Sequence, residues 1–321
     1  MRTATVTRFG GPEVLILVNQ PDRAPGPGQV VVAVEVADTL WLETAVRSGA
    51  GQGYWPMRPP YVPGNGVAGR VAAVGEGVDP GWIRKRVAGH TGNEGGYADH
   101  AVVAANGLSP VPDGLDLTVA AALLHDGPTA LALFDVTQVG IEDGVLVVGA
   151  SGGLGVLSVQ LGRARARRVV AVARGGKLNR VRELKPDAVV DSEQPDWIEQ
   201  ARSALGGGAD VVLDNVGGDL GEASFALVAP GERFSGHGTP SGRFAAVDEA
   251  EAQRRRVVVT WIERVQMSDA ELTRYTDRAF AEAAAGTIAP VIGQTFPLER
   301  AADAHTAIEG RKVFGTTLRT M

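Results

Sequence analysis

From residue 147 to 155 the chain reads Val-Val-Gly-Ala-Ser-Gly-Gly-Leu-Gly, four glycines crowded directly behind an apolar run. Glycine at this density lets a backbone turn sharply and come close to a ligand, and the free N–H groups at a helix start attract phosphate oxygens. Set against the pattern G-x-G-x-x-G, the three positions are Ala150, Gly152 and Gly155, with alanine in place of the first glycine. Gly152 would let the backbone approach a pyrophosphate, and Gly155 would let a helix pack closely on the preceding strand. The chemistry implied is the binding of a dinucleotide. The alternative is a tight structural turn in a non-binding α/β domain.

An acidic residue about 20 positions past such glycines usually receives the ribose 2′-hydroxyl of NADH. Residues 171–177 read Ala-Val-Ala-Arg-Gly-Gly-Lys, without a carboxylate. Arg174 and Lys177 are instead placed to meet a 2′-phosphate by charge-assisted contacts, which favours NADPH. Both would otherwise be solvated residues opening a helix. Tyr54 is the best candidate for a hydrogen-bond donor to a substrate oxygen, and Trp41, Trp55 and Met57 lie close to it in sequence. They would form a flat apolar wall, or ordinary β-domain core.

Other chemistries are excluded by what is missing. There is no cysteine, so disulfides, thiolate zinc sites, iron–sulfur clusters and a cysteine nucleophile are ruled out. The five histidines (90, 100, 125, 237 and 305) show no H-x-x-x-H spacing, and no serine sits in a G-x-S-x-G elbow. A net charge of -6 argues against a nucleic-acid partner, and the basic runs at 163–168 and 254–256 are short. Neither a signal-type h-region nor a long apolar span is visible, so a cytoplasmic protein without membrane contact is expected.

The elements that must hold these residues fall into two textures. Residues 1–117 read as β-rich, with short valine-rich strands at 30–36, 69–74, 86–88 and 98–103 separated by Pro/Gly clusters. An Ala/Leu-rich helical stretch follows at 117–132, interrupted at His125-Asp-Gly-Pro. From Gly144 onward strands and helices alternate, predicting a doubly wound parallel sheet within a dinucleotide-binding domain at 118–286. Residues 287–321 are expected to complete the β domain, leaving a cleft between the two. The 233–260 region holds an expected edge strand, and an edge-to-edge homodimer is predicted from it.

In the order and spacing of several segments the chain resembles the zinc-independent quinone oxidoreductase (zeta-crystallin-like) branch of the medium-chain dehydrogenase/reductase superfamily. Those segments are Arg47-Ser-Gly, Pro63-Gly64 with Ala68-Gly69, Gly95-Gly-Tyr-Ala98, Ala121-Ala122 to Thr129-Ala130, Gly149 to Gly155, Asp214-Asn-Val-Gly-Gly218 and Gly231-Glu-Arg-Phe234. The resemblance covers essentially the whole chain and implies a GroES-like β domain plus a Rossmann domain.

By that resemblance Thr129, Asn215 and Gly217 line the nicotinamide, while Gly149, Ser151, Gly152, Gly153 and Leu154 hold the pyrophosphate. Arg174 and Lys177 take the 2′-phosphate, and Ser235, Gly236 and Phe314 lie beside the cofactor. Leu40, Trp41, Tyr54 and Trp55 belong to the substrate pocket. Three departures stand out. Asn65-Gly66 replaces the His-Glu of the zinc-dependent cousins, Leu40 replaces an asparagine of many quinone reductases, and Gly315-Thr316 replaces a common Gly-Lys. The expected activity is NADPH-dependent hydride transfer to a quinone or other conjugated carbonyl. An enoyl or enone reductase and an NADPH-binding protein with little turnover remain as alternatives.

Overall fold

The computed structural model describes residues 1–321 except Tyr54 and Asn93. The candidate donor Tyr54 thus lies outside the described residues. The chain divides into two compact units, one of residues 1–128, 268–285 and 290–321, the other of 129–267 and 286–289.

The first unit is the β-rich one. Its long central strand, Gln29–Thr39, pairs antiparallel with Gly66–Val74, with His100–Ala104 and with the C-terminal strand Thr316–Thr320. Its small and β-branched residues suit a strand that is buried on both faces over most of its length. Val30, Val32 and Val34 join Val67, Val71, Val87, Tyr97 and Val103 in one core. Among the helices of this unit, one departs from the β-rich expectation and another falls in the stretch read as helical. Trp41–Ser48 starts where Glu43 accepts the Leu40 N–H at 3.1 Å, and ends at Gly49, whose φ of 96° suits glycine. Leu117–Leu123 opens at Asp116, whose carboxylate accepts the Thr118 N–H at 2.7 Å.

The domain division also departs from the expected one, because 118–128 and 268–285 group with the β-rich unit. The helix Asp269–Ala284 explains this. It opens with a reciprocal cap between Ser268 and Glu271, and its small-residue face passes so near Gly127 that a Cβ there would lie 2.8 Å from Ala279 Cβ. Thr276, Ala279 and Phe280 are its buried residues, and it packs on Leu108–Pro110 and Leu117–Leu123 of this unit.

The second unit carries six parallel strands. Numbered from Gly144–Val148, their spatial order is 3-2-1-4-5-6: Ala188–Asp191, Arg168–Ala173, Gly144–Val148, Ala209–Asp214, Val228–Gly236 and Val258–Trp261. The central strand is buried along its whole length, as an all-parallel sheet covered on both faces requires. The fold is the α/β, doubly wound Rossmann type that the strand–helix alternation predicts. In that strand order, ligands bind beyond the carboxyl ends at the point where the winding reverses. Here that point falls between Val148 and Asp214, which are direct register partners.

Candidate functional site

The glycine turn sits at the switch point. Val148 ends the central strand, and the Gly149 and Ala150 N–H groups both donate to the Val172 carbonyl at 3.0 Å, bending the chain away from the sheet. Gly149 has φ 76°, and a Cβ there would stand 2.7 Å from Val216 Cγ2, so this position demands glycine twice over. Gly155 answers a different need. A Cβ on it would lie 2.3 Å from the Gly149 carbonyl oxygen, so the helix packs this close to the turn only without one.

Gly152 is exposed, has almost nothing within reach of an added Cβ, and precedes the thirteen-residue helix Gly153–Arg165 without a side-chain cap. Ser151, Gly153 and Leu154 around it are half-buried, and no side chain caps the first N–H groups of that helix. Unpaired donors and the positive end of a helix dipole make this an anion cradle. The residues present therefore fit a dinucleotide pyrophosphate.

Beside the cradle, a chain of hydrogen bonds holds Asn215. Its Nδ2 donates to the Val148 carbonyl at 2.8 Å, and its Oδ1 lies 2.9 Å from His237 Nε2, while His237 Nδ1 lies 3.1 Å from Ser235 Oγ. Burial pushes the His237 pKa down to about 3, so the ring is neutral. The network then assigns its proton to Nε2, donated to Asn215, with Ser235 donating to Nδ1. Gly217 follows with φ 73° and ψ -164°, and Asp214 accepts its N–H at 3.0 Å. A Cβ on Gly217 would collide with the Arg243 carbonyl at 2.2 Å, and one on Gly236 with the Trp261 ring at 2.4 Å. His237 escapes notice in the sequence because the link to Asn215 spans two strands.

Arg174 is exposed directly after the strand Arg168–Ala173, and Lys177 is half-buried at the end of the following turn. The sequence around them holds no acid, yet the neighbouring strand brings two. Asp191 is the register partner of Ala173, and Glu193 Oε2 stands 3.6 Å from where a Cβ of Gly175 would be.

Thr129, residues 149–154, Arg174, Lys177, Asn215, Gly217, Ser235 and Gly236 all belong to the second unit. Leu40, Trp41, Trp55 and Phe314 belong to the first. There Leu40 and Trp41 are half-buried at the start of the helix Trp41–Ser48, Trp55 and Met57 pack on the β-domain core, and Phe314 is buried.

The first unit has a polar centre of its own. Glu43, buried, accepts the N–H of Asn65 at 3.1 Å, that of Leu40, and the hydroxyl of Tyr97. The Arg319 guanidinium stacks 3.5 Å above the Tyr97 ring, and Asp38 accepts the Gly66 N–H at 3.0 Å. Burial raises the pKa of both Asp38 and Glu43. Asn65 stands where a zinc ligand is expected in the metal-dependent cousins, but its Oδ1 is spent on His90 Nδ1 at 3.1 Å. Among the described residues no three His, Cys, Asp or Glu side chains converge to hold a metal ion. The residues present do not fit a zinc site.

A doubly wound sheet with an anion cradle at its switch point, joined to a β-rich unit, defines a dinucleotide-dependent oxidoreductase architecture. Comparison with known proteins sharpens that class. Residues 26–113 match the alcohol dehydrogenase GroES-like domain, and residues 184–317 match a family described as zinc-binding dehydrogenase. The rat quinone oxidoreductase is 31% identical over 96% of this chain and 94% of its own length. A 2-haloacrylate reductase from Burkholderia is 29% identical over 98% of this chain and 97% of its own. A mycobacterial protein solved in complex with NADPH superposes with a TM-score of 0.91 at 29% identity, covering 100% of both chains. The chain belongs to the quinone oxidoreductase branch of the medium-chain dehydrogenase/reductase superfamily.

Proposed function

We propose that this oxidoreductase uses NADPH to reduce a quinone or another conjugated carbonyl compound, without a metal ion. The observation that carries the reading is the uncapped glycine cradle at the switch point, with Arg174 and Lys177 behind the next strand. The NADPH held by the mycobacterial relative and the name of the rat relative support it.

NADPH bound here would supply the hydride. The N–H groups around Ser151, Gly152, Gly153 and Leu154 would hold the pyrophosphate, and Arg174 and Lys177 the 2′-phosphate. Thr129, Asn215 and Gly217 would meet the nicotinamide, with Ser235, Gly236 and Phe314 beside it. Asn215 is preset for this work, because Val148 and His237 pin both ends of its amide. Leu40, Trp41, Tyr54 and Trp55 would form the apolar boundary of a flat substrate. Hydride arriving at an electrophilic carbon leaves negative charge on the carbonyl oxygen, and a donor waiting there lowers the barrier.

Reduction of an enone or enoyl compound is the second reading. Leu40 stands where many quinone reductases carry asparagine, and the Burkholderia relative is a 2-haloacrylate reductase. Consumption of NADPH should be followed with a naphthoquinone, a cyclic enone and a 2-enoyl thioester. Turnover of the quinone first supports the main reading, and turnover of the thioester first supports the second. Tight NADPH binding with no turnover of any would leave a binding protein and sink both. The outer strand Val258–Trp261, whose Val258 is 58% exposed, is also proposed to pair with its copy in a homodimer. A monomer by light scattering at micromolar concentration would refute that pairing.

A further inference from the structure

The edge strand Ala188–Asp191 contributes no residue to the proposed cofactor site, yet it ends beside the turn that carries Arg174 and Lys177. Val189, Val190 and Asp191 pair in register with Ala171, Val172 and Ala173, so Asp191 stops level with the last residue before Arg174. There the chain folds back on itself. The Glu193 N–H donates to Asp191 Oδ1 at 3.1 Å and Gln194 Nε2 to Oδ2 at 3.2 Å, so both carboxylate oxygens are engaged. Ser192 donates twice to the Ala173 carbonyl, from its N–H at 2.9 Å and its hydroxyl at 3.3 Å. The Asp191 carbonyl accepts the Gln194 N–H at 3.1 Å, and three residues on, Trp197 is buried in the core and opens the helix Trp197–Leu205. The 191–194 loop is therefore anchored at both ends.

The turn it faces is slight. Gly175–Lys177 is one turn of 3₁₀ helix, closed by the Leu178 N–H on the Gly175 carbonyl and without a side-chain cap. Gly175 has φ 57°, Gly175 and Gly176 are both exposed, and an added Cβ on Gly176 would meet nothing within 4 Å. Two glycines between two cations leave the charges poorly fixed, because glycine has the most backbone freedom to lose. The loop supplies what the turn lacks. Glu193 Oε2 stands 3.6 Å from where a Gly175 Cβ would be, and the Gly175 N–H donates towards the Asp191 carboxylate.

We propose that Asp191 is a positioning residue for NADPH: it holds the 191–194 loop against the turn Gly175–Lys177 and so fixes where Arg174 and Lys177 present their charges. The inference rests on the NADPH reading above and lies wholly within the second unit. A cation whose backbone is preset loses less freedom when it meets a phosphate, and the gain falls on the coenzyme that carries the 2′-phosphate. The charge of Asp191 works the other way. The N–H of Glu193 and the Gln194 side chain hold its carboxylate below the usual range, so it is ionised at neutral pH and repels a nearby phosphate. Positioning and charge thus predict opposite signs when the side chain is removed.

The test titrates NADPH and NADH by fluorescence into the wild type, Asp191→Ala and Asp191→Asn. Asp191→Ala should weaken NADPH about tenfold and NADH less than about twofold, because the clamp is lost while the glycine cradle stays. Retained NADH binding also reports that the domain is folded. Asp191→Asn keeps an oxygen for the Glu193 N–H and should bind both coenzymes within about twofold of the wild type. Tighter NADPH binding by Asp191→Ala would mean that the residue acts only as a repelling charge. Equal losses for the two coenzymes would mean general support of the fold, and wild-type affinities no role at all. Each of these three results would overturn the proposal and leave the NADPH reading standing. A wild type that binds NADH as tightly as NADPH would instead remove the reading beneath it.

Discussion

The two units solve the burial of polar groups in opposite ways. In the second, the polar groups at the switch point are satisfied locally, the one buried carboxyl, Asp214, accepting the Val216 and Gly217 N–H groups. Asn215, His237 and Ser235 satisfy one another, and no side chain caps the helix start behind the glycine turn. In the first, ionisable groups themselves are buried. Asp38, Glu43, Arg47 and Arg319 are all 2% exposed or less, and several of their atoms have no partner. A neutral network rigidifies at little electrostatic cost, whereas buried ionisable groups make a region sensitive to pH and to loss of any single partner.

The sharpest way to break that contrast is to add a side chain at the turn. Gly155→Val should destabilise the protein by about 3 kcal/mol and weaken NADPH binding more than about 100-fold, because the new Cβ falls on the Gly149 carbonyl. Urea denaturation and fluorescence titration would show it, and retained binding would refute the cradle. Glu43→Ala should cost about 2 kcal/mol while leaving NADPH affinity alone, since it strands two backbone N–H groups and the Tyr97 hydroxyl in the first unit. A parallel loss of affinity would show the two regions are not separate in function.

Replacing both Arg174 and Lys177 with alanine should weaken NADPH about 30-fold and NADH less than about threefold. Equal losses would remove the 2′-phosphate assignment. The pH response comes next in size. Asp126 ordinarily titrates near 3.8 and in the fold near 7, so the folded state binds the extra proton between those values. Its contribution is fully present below 3.8 and is lost as pH rises through about 7. Asp126→Asn should therefore gain about 1 kcal/mol over the wild type in mildly alkaline buffer, discounted for the solvent that reaches it, and nothing at strongly acid pH. A stability difference independent of pH would count against a protonated carboxyl. Last, Glu193→Gln should favour NADPH over NADH by about twofold, by easing repulsion of the extra phosphate.

Local residue order decided much of this. The central strand, the glycine turn and the helix behind it are legible because each depends on neighbours along the chain: apolar continuity, missing Cβ atoms and a free helix start. The absence of cysteine and the Asn65-Gly66 pair likewise speak against a zinc site from residue types alone. The helix Trp41–Ser48 is harder to see, because a single cap from Glu43 and burial by distant elements stabilise it.

What tertiary structure alone decided are relations between residues far apart. The acids Asp191 and Glu193 come beside Arg174 only through strand pairing. His237 fixes Asn215 across two strands. Asp126 reads in sequence as part of a His-Asp-Gly-Pro turn, whereas the fold starts a helix there, the proline being harmless in its first turn. A pKa is set by desolvation and by charges within a few ångströms, and neither is written in local spacing. Sequence specified where a cofactor could be held; packing specified which carboxyl keeps a proton.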